Sequence, residues 1–149
     1  LINLAKRAAN PAIDVLAADD DAKQSLLEDA AAGATTAPGV VVVRMAAPLF
    51  FANGAVFSAA VKRAVTGADE PVKHVVIDME AVTDIDVTGA EAFASLEEWL
   101  DEQGVSLAFS RVRVPTKARL DELGLLSGQT VYSTNREAVA ALEARAPQD

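Results

Sequence analysis

Two rhythms of apolar residues alternate along most of this chain. One is a short unbroken run of Val, Ile or Leu, which suits a strand buried on both faces. The other places apolar residues every three or four positions, which suits a helix with one inward face. Residues 40–45 and 49–52 read as strands, and the short Ala46-Ala47-Pro48 connection predicts an antiparallel hairpin. Residues 55–66 read as a helix with Val56, Phe57, Ala60, Val61, Ala64 and Val65 inward and Lys62 and Arg63 outward, stopped by Gly67. A strand over 75–79 leads through the elbow Thr83-Asp84-Ile85-Asp86-Val87-Thr88-Gly89 into a long helix. Its inward residues are Ala92, Phe93, Leu96, Trp99 and Leu100, and Gly104 closes it. Then come a strand over 105–110, a helix from Pro115 and Thr116 to Leu123, and a strand over 130–133. Thr134 and Glu137 have capping-box spacing and open a last helix to Arg145. The order β-β-α-β-α-β-α-β-α implies parallel strands joined by right-handed crossovers. The expected architecture is α/β: a mixed sheet with an N-terminal hairpin, then β-α repeats, with packed α-helices.

The first 39 residues lack this regularity. Residues 1–9 can form a turn or two of helix before Asn10-Pro11 breaks it. Asp19-Asp20-Asp21 opens an amphipathic helix over 22–31, and the 33–39 stretch, rich in Gly, Thr and Pro, reads as a linker. The expected division is an extension over 1–39, one compact domain over 40–146 and a tail over 147–149. The chain starts at Leu1 rather than Met, which fits a piece of a longer protein.

Composition narrows the function. With 51% apolar residues and only 5% aromatics, 149 residues make one domain with an aliphatic core. A net charge of −9 argues against a nucleic-acid partner, because phosphate backbones need clustered Lys and Arg. No apolar run is long enough to span a bilayer, since Arg44 interrupts the best candidate. There is no cysteine, hence no disulfide, thiolate metal site or cysteine nucleophile.

Catalytic motifs are missing. No phosphate loop, dinucleotide fingerprint or Gly-x-Ser-x-Gly elbow occurs. The single histidine, His74, stands at a strand start with no triad partner in motif. The pair Asp84 and Asp86 admits two readings: carboxylates for Mg²⁺, or one loop carboxylate and one helix cap. The cap is preferred for Asp86. Thr88 then falls in the first helical turn, where a phosphate would meet outward N–H groups and the positive helix end. The plainer reading is an ordinary helix-start hydroxyl. The acidic residues Glu91, Glu97, Glu98, Asp101 and Glu102 read as a solvated helix side.

The stretch from Val76 through Asp84-Ile85-Asp86-Val87-Thr88 to Gly89 resembles the signature of STAS domains, which sulfate transporters share with anti-sigma-factor antagonists. The upstream run from Arg44 through Pro48-Leu49-Phe50-Phe51-Ala52 to Asn53 resembles the SulP anion-transporter branch. The resemblance spans about residues 40–142 and implies a STAS-type mixed sheet. It implies a non-enzymatic regulatory domain on the cytoplasmic face of the plasma membrane, following the membrane helices of a sulfate or other anion transporter. Residues 1–39 would be the link to those helices. In antagonists the hydroxyl before the glycine of Asp-Ser-Ser-Gly is phosphorylated. Thr88 holds that position, while Val87 replaces the first hydroxyl. Some family members bind GTP, GDP or ATP, which here implicates Asn53, Gly54, Asp84, Asp86, Val87, Thr88 and Gly89 as contacts for nucleotide or partner. The implied partners are the transmembrane domain of the same transporter and, through the full-length transporter, a second copy. The alternative is a free-standing anti-sigma-factor antagonist switched at Thr88. A small enzyme using Asp84, Asp86 and Mg²⁺ is the weakest reading.

Overall fold

A computed structural model describes residues 13–15, 35–45, 54–126 and 128–144. Five strands form one sheet in the order β1-β2-β3-β4-β5: β1 Ile13–Val15, β2 Val40–Met45, β3 His74–Asp78, β4 Ser106–Ser110 and β5 Thr130–Tyr132. Among the described residues four helices accompany them: α1 Gly54–Thr66, α2 Val87–Glu102, α3 Val114–Glu122 and α4 Asn135–Ala144. The pairs β2–β3, β3–β4 and β4–β5 are parallel, and β1 runs antiparallel to β2.

The expected alternation is therefore present, with one change of partner. The antiparallel neighbour of β2 is β1, with Ile13 opposite Met45 and Val15 opposite Val43. That strand comes from the stretch expected to be an extension. Because β3 occupies the other edge of β2, no edge of β2 is left at 43–44 for the expected hairpin strand. Connection length alone had selected 49–52, and a more distant segment fills the edge instead. Residues 49–52 and the helices expected over 1–9 and 22–31 lie outside the described residues. The end of the expected linker also belongs to the fold. Thr36 is buried, and its hydroxyl accepts a hydrogen bond from the Val42 amide at 2.9 Å.

Period-two alternation divides the sheet's two faces. Val41, Val43, Val75, Ile77 and Phe109 point to one face, where they meet Phe57, Phe93, Leu96, Leu100 and Leu120 of α1, α2 and α3. Val40, Val42, Val76, Ala108 and Tyr132 point to the other, against Ala138 and Leu142 of α4. Three helices share a face because consecutive parallel strands laid side by side, with one crossover hand, carry their connections on one side. Three rings brace that side. Phe93 stacks on Phe109 with centroids 5.3 Å apart and on Phe57 at 6.3 Å.

Along α1 the inward stripe is Gly54, Phe57 and Val61, with Ala64 and Val65 packed beside it. Val56 is 36% exposed, contrary to expectation. It lies one residue, about 100° of helix, from Phe57 and so falls off the stripe. Trp99 of α2 sits at the rim of the core, and the Lys62 ammonium lies 5.5 Å from its ring centroid.

Candidate functional site

The parallel register aligns the carboxyl ends of the strands, with Arg44 opposite Asp78, Asp78 opposite Ser110 and Ser110 opposite Tyr132. The elbow leaves the sheet from the middle of this row. Open α/β sheets place their ligand crevices at such ends. Met79, Val82 and Ile85 are fully buried and root the elbow in the core, while Thr83 and Asp84 stay exposed. The Val82 amide closes a turn on the Met79 carbonyl at 3.0 Å.

Asp86 is the N-cap of α2. Its backbone is extended and its carboxylate accepts from the Gly89 amide at 2.8 Å. A carboxylate there satisfies one orphan donor and sits at the positive end of the helix dipole. Asp84 turns back on its own loop, accepting from the Ile85 amide at 2.8 Å, with Arg119 Nε 3.9 Å away. Both carboxylates thus have local work. Among the described residues, no group of three or more His, Cys, Asp or Glu is placed to hold a metal ion. Val87 and Thr88 form the exposed first turn of α2, and Val87 keeps 61% of its surface in solvent.

Gly54, from the distant α1 start, joins this turn. A Cβ on Gly54 would stand 3.0 Å from Ala92 Cβ and 3.8 Å from Gly89 Cα. The missing side chain at Gly54 lets the start of α1 lie close against the first turns of α2, where a Cβ would crowd Ala92. The structure therefore gathers Gly54, Asp84, Asp86, Val87, Thr88 and Gly89 at one end of the sheet. Asn53 lies outside the described residues.

Beneath the elbow is a polar cluster that sequence reasoning did not find. Asp78 is completely buried and accepts from the Glu80 amide at 3.0 Å and from Asn135 Nδ2 at 2.8 Å. Arg111 lies across it, with Nη1 3.7 Å from Asp78 Oδ2 and Nη2 bonded to the Glu80 carboxylate. Arg44, also buried, reaches Glu80 at 3.3 Å, and the Ser110 hydroxyl donates to Asn135 Oδ1. Two cations face two carboxylates, as burial requires. The available signal was the register. Arg44 and Asp78 each end an apolar run, and pairing those runs in parallel sets opposite charges side by side.

The sequence comparison assigns residues 31–138 to the family described as STAS domain. Sulfate transporter 3.1 of Arabidopsis thaliana is 26% identical over 83 residues, half of this chain and 13% of that protein. The murine Slc26a9 anion transporter in its inward-facing state superposes with a TM-score of 0.70 at 18% identity, over 96% of this chain and 24% of that one. The anti-sigma factor antagonist SpoIIAA in its unphosphorylated form superposes with a TM-score of 0.61 at 16% identity, over 74% of this chain and 94% of that one. The chain thus spans 13% of the plant transporter, 24% of the murine one and 94% of the antagonist.

Proposed function

This chain belongs to the STAS domain family, and from that premise we propose that it is the regulatory, non-catalytic domain of a SulP-type anion transporter. It would lie on the cytoplasmic side of the membrane and pack against the transmembrane part of the same protein. The observation that carries this reading is sequence likeness, 26% identity with a plant sulfate transporter over 83 residues. Coverage of solved structures does not separate the two branches, because a SulP transporter STAS domain of Vibrio cholerae and SpoIIAA each take in 74% of this chain. No helix among the described residues is long and apolar enough to cross a membrane, so any spanning part would come from elsewhere in the protein.

The elbow is the regulatory point in this reading. Its first helical turn is exposed, capped and ringed by the Gly54 crossing, so a phosphate on Thr88 or a nucleotide phosphate would meet outward amides without disturbing the core. Thr88 is the phosphoacceptor. Gly54, Asp84, Asp86, Val87 and Gly89, with Asn53, form the contact surface for GTP, GDP or ATP or for a partner. An amide-resolved NMR titration with GTP, GDP and ATP, each with and without Mg²⁺, tests the nucleotide part. Shifts confined to Gly54 and residues 84–89 are expected with at least one nucleotide; shifts elsewhere, or none, would remove it.

The second reading, a free-standing antagonist, is favoured by the near-complete coverage of SpoIIAA. It predicts that a kinase-type anti-sigma factor binds the unmodified chain and releases the Thr88→Glu variant. Failure to bind would leave the transporter reading alone.

A further inference from the structure

The elbow and the residues leading into it are held by side chains of the β4–α3 loop and of α3 itself. Arg113 Nε donates to the Glu80 carbonyl at 2.9 Å, the Thr116 hydroxyl to the Val82 carbonyl at 3.1 Å and Arg119 Nε to the Ile85 carbonyl at 3.0 Å. Arg111 grips the Glu80 carboxylate from below. Four side chains from 111–119 thus fix Glu80 and Val82, which lead into the elbow, and Ile85 within it.

Arg111 is unusual among them. Its φ is 54°, the left-handed region, and it is the only non-glycine so placed among the described residues. An L-residue stays there only when its surroundings over-determine it. Here the constraints are visible. The Arg111 amide donates to the Tyr132 carbonyl at 3.0 Å, and the guanidinium bonds the Glu80 carboxylate while Nη1 stands 3.7 Å from Asp78 Oδ2, an ion pair without a hydrogen bond. Asp78 in turn holds Asn135, the first residue of α4. A polar path therefore runs from Glu80, just before the elbow, through Arg111 and its ion pair with buried Asp78 to the start of α4, on the opposite face of the sheet from α2.

We propose that Arg111 is a positioning residue in a conformational relay that couples the elbow to the amino end of α4. With Glu80 in place, the guanidinium holds the Arg111 backbone left-handed and neutralises Asp78, which fixes Asn135. When the elbow is drawn outward, Glu80 leaves Arg111 and the backbone relaxes. Asp78 then loses its cation, and the first turn of α4 loosens. The left-handed Arg111 backbone and the relaxed one that this relay postulates would be the two arrangements that coupling between sites requires. The relay rests on the reading of the elbow as a switch only for what pulls on it; the coupling stands on the contacts themselves.

Hydrogen exchange on the 149-residue chain tests this, using Gly89 to report on the elbow, Ala138 on α4 and Val76 and Leu96 as core references. Ala138 donates to the Thr134 carbonyl at 3.1 Å in the first turn of α4. Glu80→Gln and Arg111→Gly should each speed exchange about tenfold at both Gly89 and Ala138 and leave the references unchanged. Coupling is reciprocal, so Asn135→Ala, made at the far end, should speed Gly89. Faster exchange at Gly89 with Ala138 unmoved in Glu80→Gln, or an unmoved Gly89 in Asn135→Ala, would overturn the relay. If Arg111→Gly raises exchange everywhere, Arg111→Lys is judged by the same two amides. None of these readouts involves phosphate, nucleotide or transport, so the regulatory reading can fail while the relay holds, and the reverse.

Discussion

At the scale of single residues, the clearest case is Asp86. Its carboxylate closes the first turn of α2 on Gly89, so Asp86→Ala should cost about 1 kcal/mol of stability. Urea unfolding followed by circular dichroism would measure it. Asp86→Asn should cost far less, because the amide oxygen still caps. Glu97 runs the other way. Burial raises its carboxyl above the ordinary range, a hydrogen bond with Gln129 opposes this, and the nearby Asp101 charge adds to the rise. The folded state therefore holds the Glu97 proton more tightly than the unfolded chain does. The stability this contributes is present below the ordinary carboxylate range and lost as pH rises through the raised value. Glu97→Gln should accordingly stabilise the domain slightly at neutral pH, solvent screening keeping the effect small. That gain should vanish by about pH 4, as paired melting curves would show. The sequence disclosed Asp86 because a cap is a local device with a local signature. Arg111, Asp78 and Asn135 stayed hidden because their partnership exists only across strands, and nothing local marks a left-handed arginine.

At the scale of elements, α2 is the keystone of the larger core. Phe93 lies between Phe57 of α1 and Phe109 of β4, so Phe93→Ala should cost about 3–5 kcal/mol. Chemical denaturation would show it as a lowered midpoint with the slope unchanged. Helix and strand identities were legible from 54 onward because both periodicities are strong there: α2 buries Phe93, Leu96 and Leu100 as the spacing required. Strand partners were less legible. β1 is three residues long and separated from β2 by 24 positions, and no turn motif links them. Proximity favoured 49–52, but the edge of β2 was filled by whichever segment could reach it. The exposure of Val56 reflects the same limit, since an apolar residue one step off the stripe fits the composition of a helix without fitting its face.

At the scale of the whole molecule, the sheet's two faces serve unequal purposes. Three helices and the larger core make one face a rigid support, and the elbow rises from its carboxyl end with α4 behind it. Net charge and missing motifs told against nucleic acid and catalysis, and the elbow's spacing indicated where to look. In the proposed reading, what the elbow regulates is a property of the complete protein. The most direct test is anion uptake by the complete transporter in proteoliposomes, comparing wild type with Thr88→Glu and Thr88→Val at matched protein levels. Thr88 is exposed, so neither change should disturb folding. Thr88→Glu should change the rate of sulfate uptake several-fold while Thr88→Val stays near wild type. Identical uptake in all three, or a complete protein with no transport activity, would contradict this reading.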